Sequence, residues 1–366
     1  MKRRLMLSFV ASILLAGALL SGCGFKDIDK RYFVVGMGID KGENEEKPYR
    51  ITLKLGVPSV QIDAGKSKTQ VETIEAVSIA EGVRMLKSHV DKEIDFGHCK
   101  TILLGESFAQ DSIVEAVTWM SRRRDIQNIA AIGIGSPNAE DVIRVQPDVE
   151  RFPGNTLNLF FSEDATESSF TFIELLTDLT RRIYEKGLDP YLPVITVQSE
   201  DNTYVINRVA LLNKEKVVTV LEPKETQLLS QLTAHTTHSQ FGSYRSDPFV
   251  ISVNGIKIHY KIKKSDTAPK VEMKIKQSVT FEEMPINSYY SNPEGTVAQL
   301  EQAYTEDVLK LLQKIQKAGV DPYGFGLRYR ARFHLPNFDE EWPDIYSRME
   351  FDVKTKVEVR GTGLLR

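Results

Sequence analysis

Cysteine is scarce in this sequence: Cys23 and Cys99 are the two in 366 residues. A chain so supplied is not a disulfide scaffold, even if it is exported. Long apolar runs are also scarce. Leu5 to Leu20 carries no charge, and nothing comparable follows, so the remainder reads as soluble. Positive charge is not in excess, with 47 Lys+Arg against 50 Asp+Glu. Such a balance offers little attraction to nucleic acid or to an anionic membrane surface. Catalytic signatures are missing as well. No Gly-x-Ser-x-Gly elbow occurs, and Cys99 lacks the sequence context of a thiol enzyme. Acidic residues are spread along wet faces, which nominates no acid–base pair. Gly36-Met37-Gly38 follows a strand, but the third glycine of a dinucleotide fingerprint would fall at Lys41. His89, His98 and Cys99 lie close in sequence, and His235 and His238 could share a helical face. Neither set has the spacing of a closed zinc site, and His98-Cys99 reads as one solvent-facing and one packed residue. The expectation is a protein without catalysis, cofactor or metal.

What is present begins at the first residues. Lys2, Arg3 and Arg4 precede the apolar run, whose 16 residues fall short of the ~20 that a spanning helix needs. Leu20-Ser21-Gly22-Cys23 then resembles the bacterial lipobox, in which the thiol receives diacylglycerol and the leader is cut before the cysteine. Residues 1–22 are thus read as a lipoprotein signal peptide and Cys23 as the lipidation site. A plain signal peptide with a coincidental cysteine, or an uncleaved anchor, is the blander alternative. Each buried CH₂ contributes roughly 0.8 kcal/mol, so two or three acyl chains hold where one does not. Cleavage leaves 344 residues with 44 basic and 50 acidic side chains, enough for two or three domains. The acyl chains, not electrostatics, then hold the protein at the membrane.

Hydrophobic periodicity places the elements. Tyr32 to Ile39 reads as a strand buried on both faces. "PYRITLKLGVP" reads as an amphipathic strand, with Thr52 and Lys54 turned away from Ile51, Leu53 and Leu55. Residues 61–72 are polar and read as an exposed loop. A helix carries Ala76, Ile79, Ala80, Val83 and Leu86. "CKTILLGE" (99–106) is a strand, and a helix capped by Asp111 turns Ile113, Val114, Val117 and Met120 inward. "IAAIGIG" (129–135) is a further strand. Phe172, Leu176, Leu179 and Ile183 line a helix that stops at Gly187. Residues 190–203 read as a domain boundary. They divide an N-terminal α+β region, 23–200, which can comprise more than one module, from a C-terminal α+β domain, 201–366, with long antiparallel strands.

In that C-terminal domain, Asn254-Gly255 between alternating residues is a strong hairpin signal. A two-residue turn there would set Phe249, Ile251, Val253, Ile256, Ile258 and Tyr260 on one side. "KVEMKIKQSVTF" and "FDVKTKVEV" alternate as strands with one wet, charged face. A helix over 297–317 presents Val297, Leu300, Tyr304, Val308, Leu311 and Ile315 to the apolar face. The fold class is α+β and multi-domain, with mixed and antiparallel sheets packed against amphipathic helices.

Two further patterns stand out. Gly187-Leu188-Asp189-Pro190-Tyr191 and Gly319-Val320-Asp321-Pro322-Tyr323 repeat Gly-aliphatic-Asp-Pro-Tyr after an amphipathic helix. Convergent use of a helix stop explains the echo better than duplication. "YGFGLRYRARF" (323–333) resembles an RNA-recognition signature, but the position that should be basic is Tyr323 and no partner strand motif is visible. Packing or a protein contact is the better reading, with Tyr323, Phe325 and Tyr329 as a candidate partner surface.

The order of motifs resembles that of the Ger(x)C-family spore germination lipoproteins, the C subunits of GerA-type nutrient germinant receptors. The resemblance runs from Cys23 and "GMGID" (36–40) through "EAVSIAEGVR" (75–84), "FGHCKTILLGESFA" (96–109) and "DPYLPVI" (189–195). It continues in "VALLNKEKVV" (209–218), "AGVDPYGFGLRYR" (318–330) and "FDVKTKVEVRGTG" (351–363). Gly24-Phe25 replaces the Trp-Asp that often follows the lipidated cysteine in that family. The resemblance implies a lipoprotein on the outer face of the spore inner membrane, acting beside two integral membrane subunits of A and B type in the response to nutrients. It also implies α+β modules, usually described as three domains, and no catalytic residue. A stand-alone solute-binding lipoprotein is the alternative, although no symmetric two-lobe pattern is evident.

Overall fold

The computed structural model describes residues 30–56, 69–147, 156–160, 173–198, 202–233, 239–243, 249–265, 267–283 and 291–361, with Met6, Ser168 and Phe170 as isolated positions. Cys23, the leader apart from Met6, His235 and His238 lie outside the described residues.

Among the described residues nine strands form the larger sheet. In chain order they are β1 (Arg31–Asn44), β2 (Lys47–Gly56), β3 (Thr69–Ala76), β4 (Glu93–Asp95), β5 (Thr101–Gly105), β6 (Ala131–Ser136), β7 (Tyr191–Gln198), β8 (Thr203–Leu212) and β9 (Val217–Leu221). Their spatial order is β3-β2-β1-β5-β6-β7-β8-β9, with the short β4 also paired to β1. The centre, β1-β5-β6-β7, is parallel, and an antiparallel meander flanks it on either side. Parallel neighbours need a crossover. Helices α1 (Ile79–His89), α2 (Glu106–Asp111), α3 (Val114–Arg122), α4 (Ala139–Arg144), α5 (Thr156–Phe160) and α6 (Leu176–Tyr184) lie in these connections. Ile79, Val83 and Leu86 of α1, Val117 and Met120 of α3, and Leu179 of α6 share one core on one face. Val142 and Ile143 of α4 fill a second core on the other.

Covering both faces has a consequence for β2. Thr52 and Lys54 are as buried as Ile51, Leu53 and Leu55, so the strand is not amphipathic. Lys54 Nζ donates to the Val145 carbonyl oxygen at 2.6 Å, and burial pushes its ammonium down to about 8. Three other expectations shift. Residues 69–72 belong to strand β3, not to a loop, and 61–68 lie outside the described residues. Asp111 ends α2 and does not cap α3, whose Val114 is exposed while Ile113, Val117 and Met120 are buried. Ala76 closes β3 and precedes the helix.

The smaller sheet has the order β10 (Ser239–Ser243), β11 (Phe249–Lys263), β12 (Lys270–Glu283), β13 (Glu350–Gly361). The expected hairpin at Asn254-Gly255 does not form. β11 runs straight through it, because neither residue has the positive φ that a type I′ turn demands. The pair makes a β-bulge instead: register slips by one between Val253 and Gly255, and Asn254 Nδ2 donates to Thr280 Oγ1 at 2.7 Å. The extra residue switches side-chain parity, so Ile251 and Val253 before the bulge share the core side with Ile256 after it. β13 also departs from expectation by pairing parallel to β12. The crossover between them carries α8 (Pro293–Lys317), α9 (Phe325–Arg332) and α10 (Phe338–Ser347). α8 buries Leu300, Tyr304, Val308, Leu311 and Ile315 against the sheet, as its spacing indicates.

The two sheets share a core. Tyr191, Val209, Leu211 and Leu221 of β7, β8 and β9 pack with Leu228, Leu229 and Leu232 of α7 (Pro223–Thr233) and with the apolar face of the smaller sheet. The larger sheet itself runs across residue 200, since β7 and β8 pair antiparallel from Tyr191↔Leu211 to Gln198↔Thr203.

Candidate functional site

A buried polar network lies where the two Gly-aliphatic-Asp-Pro-Tyr segments meet. After α6 and after α8 the chain turns at Gly187 (φ +76°) and Gly319 (φ +72°), in the left-handed region that ends helices. The segments then bond to one another. The Asp189 N–H donates to the Asp321 carbonyl at 2.9 Å, and the Asp321 N–H donates to Asp189 Oδ2 at 2.7 Å. Leu327 N–H also donates to the Gly187 carbonyl at 2.8 Å. The echo is therefore a structural joint as well as a pair of helix stops.

Each aspartate has its own role. Asp321 is fully buried, and its carboxylate accepts from Phe325 N–H at 3.1 Å and Gly326 N–H at 2.7 Å, capping the first turn of α9. Burial pushes its carboxyl up to about 7, against the pull of those N–H groups. Asp189 stands 3.4 Å from Lys214 Nζ. That ammonium also donates to the carbonyls of Arg182, Glu185 and Leu188, closing the C-terminal end of α6. Arg182 ties the assembly together. It donates to the carbonyls of Asp189 and Pro322 at 3.3 and 3.2 Å and to the Tyr191 hydroxyl at 3.0 Å. Its Nε is 3.1 Å from Glu174 Oε1, an ion pair set off-line for a hydrogen bond. Burial raises the Glu174 carboxyl, and Arg182 pulls it back.

Beside the joint opens a cleft of about 700 Å³. Arg181, Arg182, Tyr260, Lys261, Tyr323 and Arg328 are among its walls, and the Tyr323 hydroxyl is buried without a hydrogen-bond partner.

The aromatic segment expected to be a partner surface is not exposed. Phe325 is fully buried and Tyr329 is 2 % exposed, with Tyr323 half-buried. Phe325 packs edge-on to Tyr260 at 5.2 Å, and Tyr329 meets Trp342 at 5.7 Å, so these rings hold α9 and α10 to the sheet. Cys99 is buried and burial raises its thiol to about 12, while His98 is exposed against Phe33. Asp40, beside the Gly36-Met37-Gly38 stretch, is a helix cap: its carboxylate accepts from Ala139 N–H at 2.7 Å and Glu140 N–H at 2.8 Å. Among the described residues no group of three or more His, Cys, Asp or Glu could hold a metal, and no helix is long and apolar enough to cross a membrane. Sequence reasoning missed Arg182 and Lys214, whose partners are mostly main-chain carbonyls that no motif records.

Comparison with known proteins decides the family. The model of the spore germination protein N-terminal domain matches residues 24–197, and that of the spore germination B3/GerAC-like C-terminal domain matches 207–363. The chain belongs to the GerAC-like spore germination family. Among its relatives in Bacillus subtilis (strain 168), the putative spore germination protein YfkR is 23 % identical over 379 residues, covering 96 % of each chain. Spore germination protein KC is 20 % identical over 391 residues, covering 96 % of this chain and 95 % of the relative. The crystal structure of the GerBC protein shares the fold, with a TM-score of 0.58 at 16 % identity over 88 % of this chain and 97 % of that one. The GerAC-like family is one of germinant receptor C subunits. In this member the Asp189 half of the joint falls in the first matched region and the Asp321 half in the second.

Proposed function

We propose that this chain is the lipid-anchored C subunit of a nutrient germinant receptor, serving assembly and signalling on the outer face of the spore inner membrane. Its partners are two integral membrane subunits of A and B type, and it acts without catalysis, cofactor or nucleic acid. The observation that carries this reading is the joint. Reciprocal bonds between Asp189 and Asp321 tie the two regions of the family together, beside the sheet and the core that those regions share. The lipobox supports the anchor, because Cys23 directly precedes the first matched residue. Replacing Cys23 by Ala should leave the protein unprocessed or release it from membranes, and should abolish its co-purification with the two membrane subunits. Normal processing with firm membrane retention would sink the anchor.

The cleft favours a second reading, a stand-alone solute-binding lipoprotein. Its volume suits a small ligand, and arginine with tyrosine suits an anionic one. Calorimetry of the detergent-solubilised full chain with amino acids, sugars and nucleosides should give no saturable heat. Stoichiometric binding of any of them would promote this reading.

A further inference from the structure

The outer face of the smaller sheet carries two adjacent rows of basic side chains at its middle. Lys257 of β11 lies directly opposite Lys276 of β12, which lies directly opposite Lys356 of β13. In the next row on that face His259, Lys274 and Lys354 are likewise aligned. All six side chains are exposed. Residues opposite one another across a sheet share a face, and like charges so placed destabilise it. Strands about 4.8 Å apart with ~3.4 Å per residue put the five lysines within a patch roughly 10 Å across. Acidic groups border the rows without entering them: Glu272 and Asp352 align with Lys261 in the next row and pair with Lys263 and Lys270. Lys276 meets Glu358 at 3.7 Å, while among the described residues no acidic group stands within 4 Å of the other four lysines. The chain as a whole carries a formal charge of −3, so this face opposes the overall balance.

We infer that the lysine rows of β11, β12 and β13 are a docking face for the anionic headgroups of a phospholipid bilayer, which lays the body of the protein against the membrane. The inference rests on the membrane placement proposed above. Its chemistry favours lipid over a protein partner. Protein interface cores are enriched in aromatic residues, Met and Arg and depleted in Lys, and the two rows hold lysine with a single histidine. Lysines beside an anionic leaflet act as point charges and need no matched pocket. On the other side of the sheet, α8 provides an internal control in its exposed Lys310 and Lys317.

The test is amine footprinting of the lipidated full chain, reconstituted into vesicles of phosphatidylcholine alone or with 30 mol% phosphatidylglycerol and recovered by flotation. A water-soluble acetylating reagent then reports each lysine by mass spectrometry. Acetylation of Lys257, Lys274, Lys276, Lys354 and Lys356 should fall at least ~3-fold in the anionic vesicles and recover in high salt, while Lys310 and Lys317 are unchanged. Equal labelling of floated protein in both lipids would overturn the docking face and leave the anchor intact. Protection that appears only with the membrane subunits present would assign the face to a protein and overturn it equally. Flotation with anionic vesicles alone, with the rows protected, would keep the face and remove the anchor. No flotation with either would end both.

Discussion

Gly187–Tyr191 and Gly319–Tyr323 have the same sequence pattern and the same left-handed glycine, but opposite surroundings. A Cβ at Gly187 would lie 2.5 Å from the Gly326 carbonyl carbon and 2.6 Å from Leu327 N, while one at Gly319 would meet nothing within 4 Å. Asp189 is partly exposed and faces the Lys214 ammonium, whereas Asp321 is sealed in and held by main-chain N–H groups. A short motif therefore specifies how a helix stops. What the stop then does depends on the backbone brought against it.

The glycines give the widest separation. Gly187→Ala should cost about 3 kcal/mol or more, since left-handed strain of roughly 1–2 kcal/mol adds to a backbone clash that nothing flexible can relieve. Gly319→Ala should cost only the strain, about 1 kcal/mol. Urea denaturation of the two variants measures the difference, and equal losses would mean the Gly187 contact is not close.

The pH dependence of stability reports on Asp321. The Asp321 carboxyl titrates near 7 in the folded chain, well above its ordinary value. The native state thus holds that proton more tightly than the unfolded chain does. Its contribution is largest below about pH 4 and is lost as pH rises through about 7, on the order of 4 kcal/mol in all. Asp321→Asn should flatten the fall in stability between pH 5 and 7.5. An unchanged slope in the variant would place the titrating group elsewhere.

Much of this architecture was legible because periodicity reports one-sided burial. The α8 stripe at Leu300, Tyr304, Val308, Leu311 and Ile315 and the alternation through Val271, Met273 and Ile275 describe faces that each meet one neighbour. Lys54 was misread for the same reason, because alternation cannot reveal that a sheet is covered twice. Asn254-Gly255 carries the composition of a turn, yet a bulge uses the same residues without reversing the chain. The parallel pairing of β13 is set by the helical crossover before it, which strand patterns do not encode. At the joint, both halves were visible as a repeat. Their contact was not, since each bond is donated by a main-chain N–H to a residue 132 positions away. The aromatic run at Tyr323, Phe325 and Tyr329 looked like a surface because its partners, Tyr260, Phe351 and Trp342, come from distant elements.

The central claim is that the two aspartates act on each other across the joint. Urea denaturation of Asp189→Ala and Asp189→Asn measures this directly. Alanine removes the acceptor of the Asp321 N–H and should cost about 1–3 kcal/mol, while asparagine keeps an acceptor and should cost less. A loss within about 0.5 kcal/mol of zero in the alanine variant would contradict the joint.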